Sequence, residues 1–200
     1  MKIVRLMLWA AVVLVGIFFV GRHFMTAQDA GSGPGGPFTL TSQTGQKVSD
    51  TDFRGRFMLV YFGYTYCPDV CPLELEKMSR ALETLDKEGY DTTPLQPIFI
   101  SIDPERDTVK EMAEYVPQFY PRLLGLTGTP EEIAKVAKEY KVYYKKRVVK
   151  DSDGYLMDHQ SMIFVMGPDG KFQRIFSSRN TPDQMVAALR PVLTKVKDTK

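Results

Sequence analysis

The stretch FMLVYFGYTYCPDVCPLELEKM, residues 57–78, decides the fold. Its first part, Phe57–Phe62, is an unbroken apolar run of strand length, the pattern of a strand buried on both faces. Its last part opens a helix: Leu75, Met78, Leu82 and Leu85 recur at helical spacing, and Gly89 supplies a C-terminal stop. A buried strand running straight into a helix is half of a βαβ unit, and the carboxyl end of such a strand is where α/β proteins collect their chemistry. The chain's two cysteines, Cys67 and Cys71, stand at that junction. Pro72 suits the first helical position, which makes Cys71 the expected N-cap.

Working outward, the pattern alternates strands and helices without an internal repeat. Phe38–Leu40 and Lys47–Val48 flank a Thr44-Gly45 turn and predict an N-terminal hairpin. Pro97–Ile102 is the next buried strand, followed by a helix from Thr108 to about Val116 that Pro117 ends. Thr129-Pro130-Glu131-Glu132 combines an N-cap, a first-turn proline and a capping-box glutamate, with Ile133, Val136, Ala137 and Tyr140 as the buried face. Tyr143–Val149 and Ser161–Met166 read as strands, and the turn Pro168-Asp169-Gly170 sends the chain back along Phe172–Phe176. A last helix opens at Thr181-Pro182-Asp183-Gln184, presents Met185, Ala188, Leu189, Val192 and Val196, and should kink at Pro191. Helical crossovers imply a mainly parallel central sheet with one antiparallel pair, hence a mixed-sheet α/β sandwich.

The N-terminal region is different in kind. Leu6–Gly21, LMLWAAVVLVGIFFVG, carries no charge and is bracketed by Lys2 and Arg5 on one side and Arg22 and His23 on the other. Its sixteen residues reach about 24 Å as a helix, short of a hydrocarbon core of about 30 Å unless the flanking cations snorkel. A secretory signal peptide competes with an anchor, but no A-x-A cleavage site is evident. Residues 1–25 are therefore expected to be a single transmembrane anchor. The basic excess at the N-terminus points the folded part out of the cytoplasm, into the periplasm of a bacterial-type inner membrane or an equivalent intermembrane compartment. Thr26–Pro37, TAQDAGSGPGGP, reads as a flexible linker, and residues 38–200 as one domain.

Of 26 basic and 24 acidic residues, Lys2, Arg5, Arg22 and Asp29 fall within residues 1–37, leaving 23 of each sign in the domain. Nucleic acid demands a strongly basic surface, so it is excluded as a partner.

Three readings compete for Cys67 and Cys71. A structural disulfide closing so short a loop would remove little chain entropy. A thioredoxin-type redox centre would have two intervening residues, whereas here there are three. Two thiolates at a helix N-terminus, with a third donor from elsewhere, would suit Cu(I). The donor search is short, because the chain has two histidines. His23 is most simply an interfacial residue, and His159 sits at a loop-to-strand junction within YLMDHQSMIFVMGPDG. Asp69 either favours the loop or orients a ligand. Asp103-Pro104 ends a strand on the same sheet edge, Met157 and Met162 are soft donors or core, and YKVYYKKRVVK (140–150) is a solvated face or a steering surface.

The segments GYTYCPDVCPLELEKM, SIDPERDT and DHQSMIFVMGPDG, in that order, resemble the Sco/SenC family of copper chaperones over essentially all of Phe38–Val196. The resemblance implies a thioredoxin-like fold with Cys67, Cys71 and His159 as copper ligands. It also implies delivery of copper to the dinuclear copper centre of cytochrome c oxidase subunit II, or thiol-disulfide maintenance of that partner's cysteines. Many relatives have His where this chain has Tyr66, which removes a spare donor without touching the implied ligands.

Overall fold

In the computed structural model, residues 33–149 and 154–195 are described. The expected anchor, residues 1–25, and most of the linker lie outside them. Among the described residues no helix is long and apolar enough to cross a membrane.

The strands are β1 (Thr39–Ser42), β2 (Lys47–Ser49), β3 (Phe57–Gly63), β4 (Leu95–Ser101), β5 (Leu124–Thr127), β6 (Tyr144–Val148), β7 (Tyr155–His159), β8 (Met162–Met166) and β9 (Phe172–Ser177). The α-helices are α1 (Val70–Lys87), α2 (Val109–Tyr115), α3 (Pro130–Glu139) and α4 (Pro182–Leu189). Seven strands form one sheet in the order β2-β1-β5-β4-β3-β8-β9, and β6 and β7 form a separate two-stranded ribbon.

Only β3–β4 and β4–β5 pair in parallel, so the expectation of a mainly parallel sheet is corrected. The helical crossovers through α1 and α2 do produce parallel neighbours. The flanking strands β1 and β8 join this centre antiparallel, a choice of direction that no local pattern encodes. The hairpins β1–β2 and β8–β9 form as expected.

Strand β3 is buried from Met58 to Gly63, and its two faces meet different layers. Tyr61 stacks on Phe99 at 6.2 Å, and Phe99 lies 5.7 Å from Tyr115 of α2. Phe62 faces the other way, 5.2 Å from Tyr140 beyond α3 and 6.0 Å from Phe164 of β8. Helix α1 lies on the Tyr61 side and packs against α4.

The capping boxes at Thr129 and Thr181 are both present, each hydroxyl accepting from the backbone N–H three residues on. Two other expectations are corrected. Helix α4 stops at Leu189, and Pro191 lies in a 3-10 turn over Arg190–Val192 instead of kinking a continuous helix; Val196 is outside the described residues. The N-cap of α1 is Asp69, with Val70, Cys71 and Pro72 following in the first turn. Within the expected linker, Gly35 N–H donates to Glu139 O at 2.9 Å.

Candidate metal and redox site

Strand β3 ends at Gly63, and residues 64–69 carry the chain over the sheet edge into α1. The Asp69 side chain makes no capping bond. The Cys67 sulfur does that work, accepting from the Cys71 N–H at 3.4 Å. Cys67 therefore sits at the positive end of an 18-residue helix, half-buried, while Cys71 one turn on is fully buried. Both are free thiols. The close packing beneath them depends on Gly63, where an added Cβ would stand 2.9 Å from the Cys71 sulfur and 3.0 Å from the Phe99 and Tyr61 rings.

His159 arrives from the other direction, as the last residue of β7 and not in a loop. Its Nε2 lies 3.4 Å from the Cys71 sulfur. Nδ1 lies 2.9 Å from Gln160 O, and a carbonyl can only accept, so Nδ1 carries the proton of that bond and Nε2 is the nitrogen turned to the sulfur. The ring is held edge-on by Tyr61 at 6.3 Å and Tyr64 at 6.0 Å. Cys71 and His159 are thus brought together across 88 residues of chain, and Cys67 is tied to Cys71 through the backbone N–H.

The two thiols are driven in opposite directions. The Cys67 thiol is pushed down to about 3, first by the hydrogen bond from the Cys71 thiol, with His159 and the N–H groups of Asp69 and Cys71 adding to it against the cost of burial. The Cys71 thiol is pushed up, first by its bond to Cys67 and then by burial. Burial also raises the Tyr64 phenol to about 12 and raises that of Tyr61. One proton is therefore shared over a thiolate and a thiol. Because Cys67 is ionised far below the ordinary range, its alkylation by iodoacetamide should keep a constant rate from about pH 8 to about pH 5, where an ordinary thiol slows about tenfold per pH unit. Peptide mapping after timed alkylation measures this; the ordinary pH dependence at Cys67 would refute it.

The remaining expectations divide. Asp69 is exposed, and its contribution to the thiols is its backbone N–H. Met157 belongs to the core, and Met162 packs against it. In the basic run, Lys146 pairs with Glu105 at 2.7 Å and Arg147 with Asp158 at 3.0 Å. Asp103 is buried and accepts from the Tyr155 hydroxyl at 2.8 Å and from Arg106 Nε at 2.5 Å. Asp107, to which sequence reasoning gave no role, is fully buried and holds the thiol loop: Thr65 N–H and Thr65 Oγ1 donate to it at 3.0 and 2.5 Å. The clue lay in SIDPERDT, whose second aspartate immediately precedes the α2 cap Thr108.

Fold and site together define a thioredoxin-like protein whose helix-opening thiol pair meets an imidazole delivered on a separate ribbon. A family model described as SCO1/SenC matches residues 26–194. The chain belongs to the SCO1/SenC family. The human mitochondrial SCO1 homolog is 46% identical over 156 residues, covering 78% of this chain and 51% of that protein. The chain spans about half the length of the curated relatives it matches. Bradyrhizobium japonicum ScoI, solved with copper bound, is similar at 45% identity and a TM-score of 0.72, over 79% of this chain and 98% of that one. BsSco, described through a disulfide switch and as a member of the Sco family of cytochrome c oxidase assembly proteins, is 28% identical with a TM-score of 0.62, over 79% and 92%.

Proposed function

We propose that this protein is a copper chaperone that takes copper as cargo on Cys67, Cys71 and His159 and passes it on for assembly of the dinuclear copper centre of cytochrome c oxidase subunit II. Residues 1–25 serve in this reading as a membrane anchor and 26–37 as the tether, with the copper domain outside the cytoplasm. The observation that carries the reading is the approach of His159 Nε2 to the Cys71 sulfur at 3.4 Å. Two ligands of one d10 ion, with bonds of about 2.3 Å to sulfur and about 2.0 Å to nitrogen, stand about as far apart. Among the described residues no group of three or more metal-ligating side chains stands ready-made around one point, and in this reading the donors close on the ion as it loads.

The donor set fits the cargo. Thiolates select a soft ion, and imidazole accepts copper in either oxidation state. Cys67 is held ionised and half-exposed to meet the metal, and Cys71 gives up its proton as the metal enters. The Nδ1 bond to Gln160 O keeps Nε2 aimed at the sulfurs throughout. Metal content and X-ray absorption of the reduced full chain test this directly. One copper with two sulfur neighbours and one nitrogen is expected, and His159→Ala should lose the nitrogen and weaken binding at least about tenfold. Unchanged copper content in Cys67→Ala, Cys71→Ala and His159→Ala would refute the site.

The contrast between the thiols also favours a second reading, a thiol-disulfide oxidoreductase that keeps the partner's copper-binding cysteines reduced. The Cys67 thiolate would attack the partner disulfide, forming a mixed disulfide and expelling one partner thiolate. Cys71, losing its proton, would then attack the Cys67 sulfur, releasing the partner as a dithiol and leaving a Cys67–Cys71 disulfide to be reduced by an external dithiol. That chemistry needs no ligand from His159, which only assists the ionisation of Cys67 behind the larger effect of Cys71, so oxidase assembly in cells carrying His159→Ala discriminates: success favours reduction, failure favours copper.

A further inference from the structure

Arg106 lies in the connection after β4 and is not one of the proposed ligands, and its surroundings are unusual for a loop arginine. Its guanidinium carbon is 3.7 Å from the centre of the Tyr155 ring, 4.8 Å from that of Tyr66 and 5.7 Å from that of Tyr64. Nε donates to Asp103 Oδ2 at 2.5 Å, and Nη1 donates to the backbone carbonyl of Tyr155 at 3.0 Å. Nη2 is buried without a hydrogen-bond partner among the described residues. A buried donor left unpaired costs free energy, so stacking of the planar cation on aromatic faces must compensate for it.

The three rings belong to two different parts of the site. Tyr64 and Tyr66 stand in the loop that leads to Cys67, whereas Tyr155 opens β7. Along β7, Tyr155, Met157 and His159 alternate onto one face. Met157 is buried in the core, and Asp103 takes the Tyr155 hydroxyl at 2.8 Å. Among the described residues the β6–β7 ribbon shares no ladder with the seven-stranded sheet, and side chains such as these tie it to the rest of the site.

We infer that Arg106 is a positioning residue: it clamps the thiol loop to the start of β7 and so holds His159 in register with the thiols. This rests on the proposed copper site for its consequence, but not for its geometry. Lysine keeps the charge and lacks both the planar face and the fork that reaches Asp103 and the Tyr155 carbonyl together. Arg106→Lys therefore separates a clamp from a field effect.

The test uses the full chain. In the metal-free protein, Arg106→Lys should speed deuterium uptake over residues 144–148 and 155–159 by about tenfold or more while leaving β3 and β4 as in the parent, a loss confined to the ribbon. Loaded with copper, the variant should keep its two sulfur neighbours and lose nitrogen in X-ray absorption, with affinity down about tenfold or more, in the range of outer-shell substitutions. Tyr155→Leu, which removes the central ring, should reproduce both results. Parent-like exchange and affinity in Arg106→Lys would overturn the clamp, and so would weakened copper binding with unchanged exchange. If the parent chain itself retains no copper, the chaperone reading fails while the exchange measurement still decides the clamp.

Discussion

Cys71→Ser is expected to lower the Cu(I) affinity of the reduced full chain by more than about a hundredfold, beyond what outer-shell changes produce. A hydroxyl is a hard, poorly ionised donor where a soft thiolate is needed. Cys71 is fully buried with its sulfur 3.4 Å from His159 Nε2, so the substitution removes the donor standing between Cys67 and the imidazole. The serine hydroxyl can still donate to Cys67, so the fold should survive. The pH dependence gives a second readout. Cys67 is already ionised at neutral pH, while Cys71, pushed up by its bond to Cys67 and by burial, keeps its proton until the metal displaces it. Affinity in the parent should therefore rise with pH, about tenfold per unit for the one proton released, and Cys71→Ser should lose that slope. Competition with a Cu(I) chelator at several pH values measures both; parent-like affinity in the variant would exclude Cys71 as a ligand.

The largest loss of stability is expected at Asp107, remote from the sulfurs in contact but not in effect. Its carboxylate accepts from Thr65 N–H at 3.0 Å, Thr65 Oγ1 at 2.5 Å and Ser101 Oγ at 2.6 Å, and its carbonyl accepts from Thr127 Oγ1 at 2.7 Å. Asp107→Ala strands three donors and should cost about 3 kcal/mol or more. Asp107→Asn should cost less than about 1 kcal/mol, because its oxygen can keep two donors while its amide donates to the Thr65 hydroxyl. Burial raises the Asp107 carboxyl above its unfolded value. The folded state therefore holds the proton longer, and the contribution of this group to stability falls as pH rises through the folded pKa. Asn removes that component, so the gap between parent and Asp107→Asn should narrow or reverse as pH rises. Urea denaturation at two pH values tests the set, and an alanine variant within 1 kcal/mol of the parent, about the value of a single ordinary hydrogen bond, would show that the network is not what holds the loop.

How much of this was legible in the chain depends on how local each signal is. The caps at Thr129 and Thr181 are written within four residues, and both form as read. Strand β3 is readable because it is buried on both faces. Strand β5, Leu124–Thr127, leaves no signal: LGLT is four residues with a glycine, and it becomes a strand only by lying between β4 and β1. Strand β7 is hidden for another reason, since YLMDH carries charge and is a strand by virtue of its antiparallel register with Tyr144–Val148. Cys67, Cys71 and His159 could be singled out by scarcity and chemistry. Asp107 left only the clue of its place before the cap Thr108, and its partners, like those of Arg106, could not be read, because a loop carboxylate and a loop guanidinium reveal them only when β3, β4 and the ribbon meet.

The sulfur of Cys67 completes the first turn of α1 where an oxygen would ordinarily stand. One amide occupies only part of the lone-pair surface of a thiolate, so a species that captures this atom can leave the helix its end. A cap is worth about 1 kcal/mol, and a thiolate that keeps it can change partners without unwinding the turn it closes.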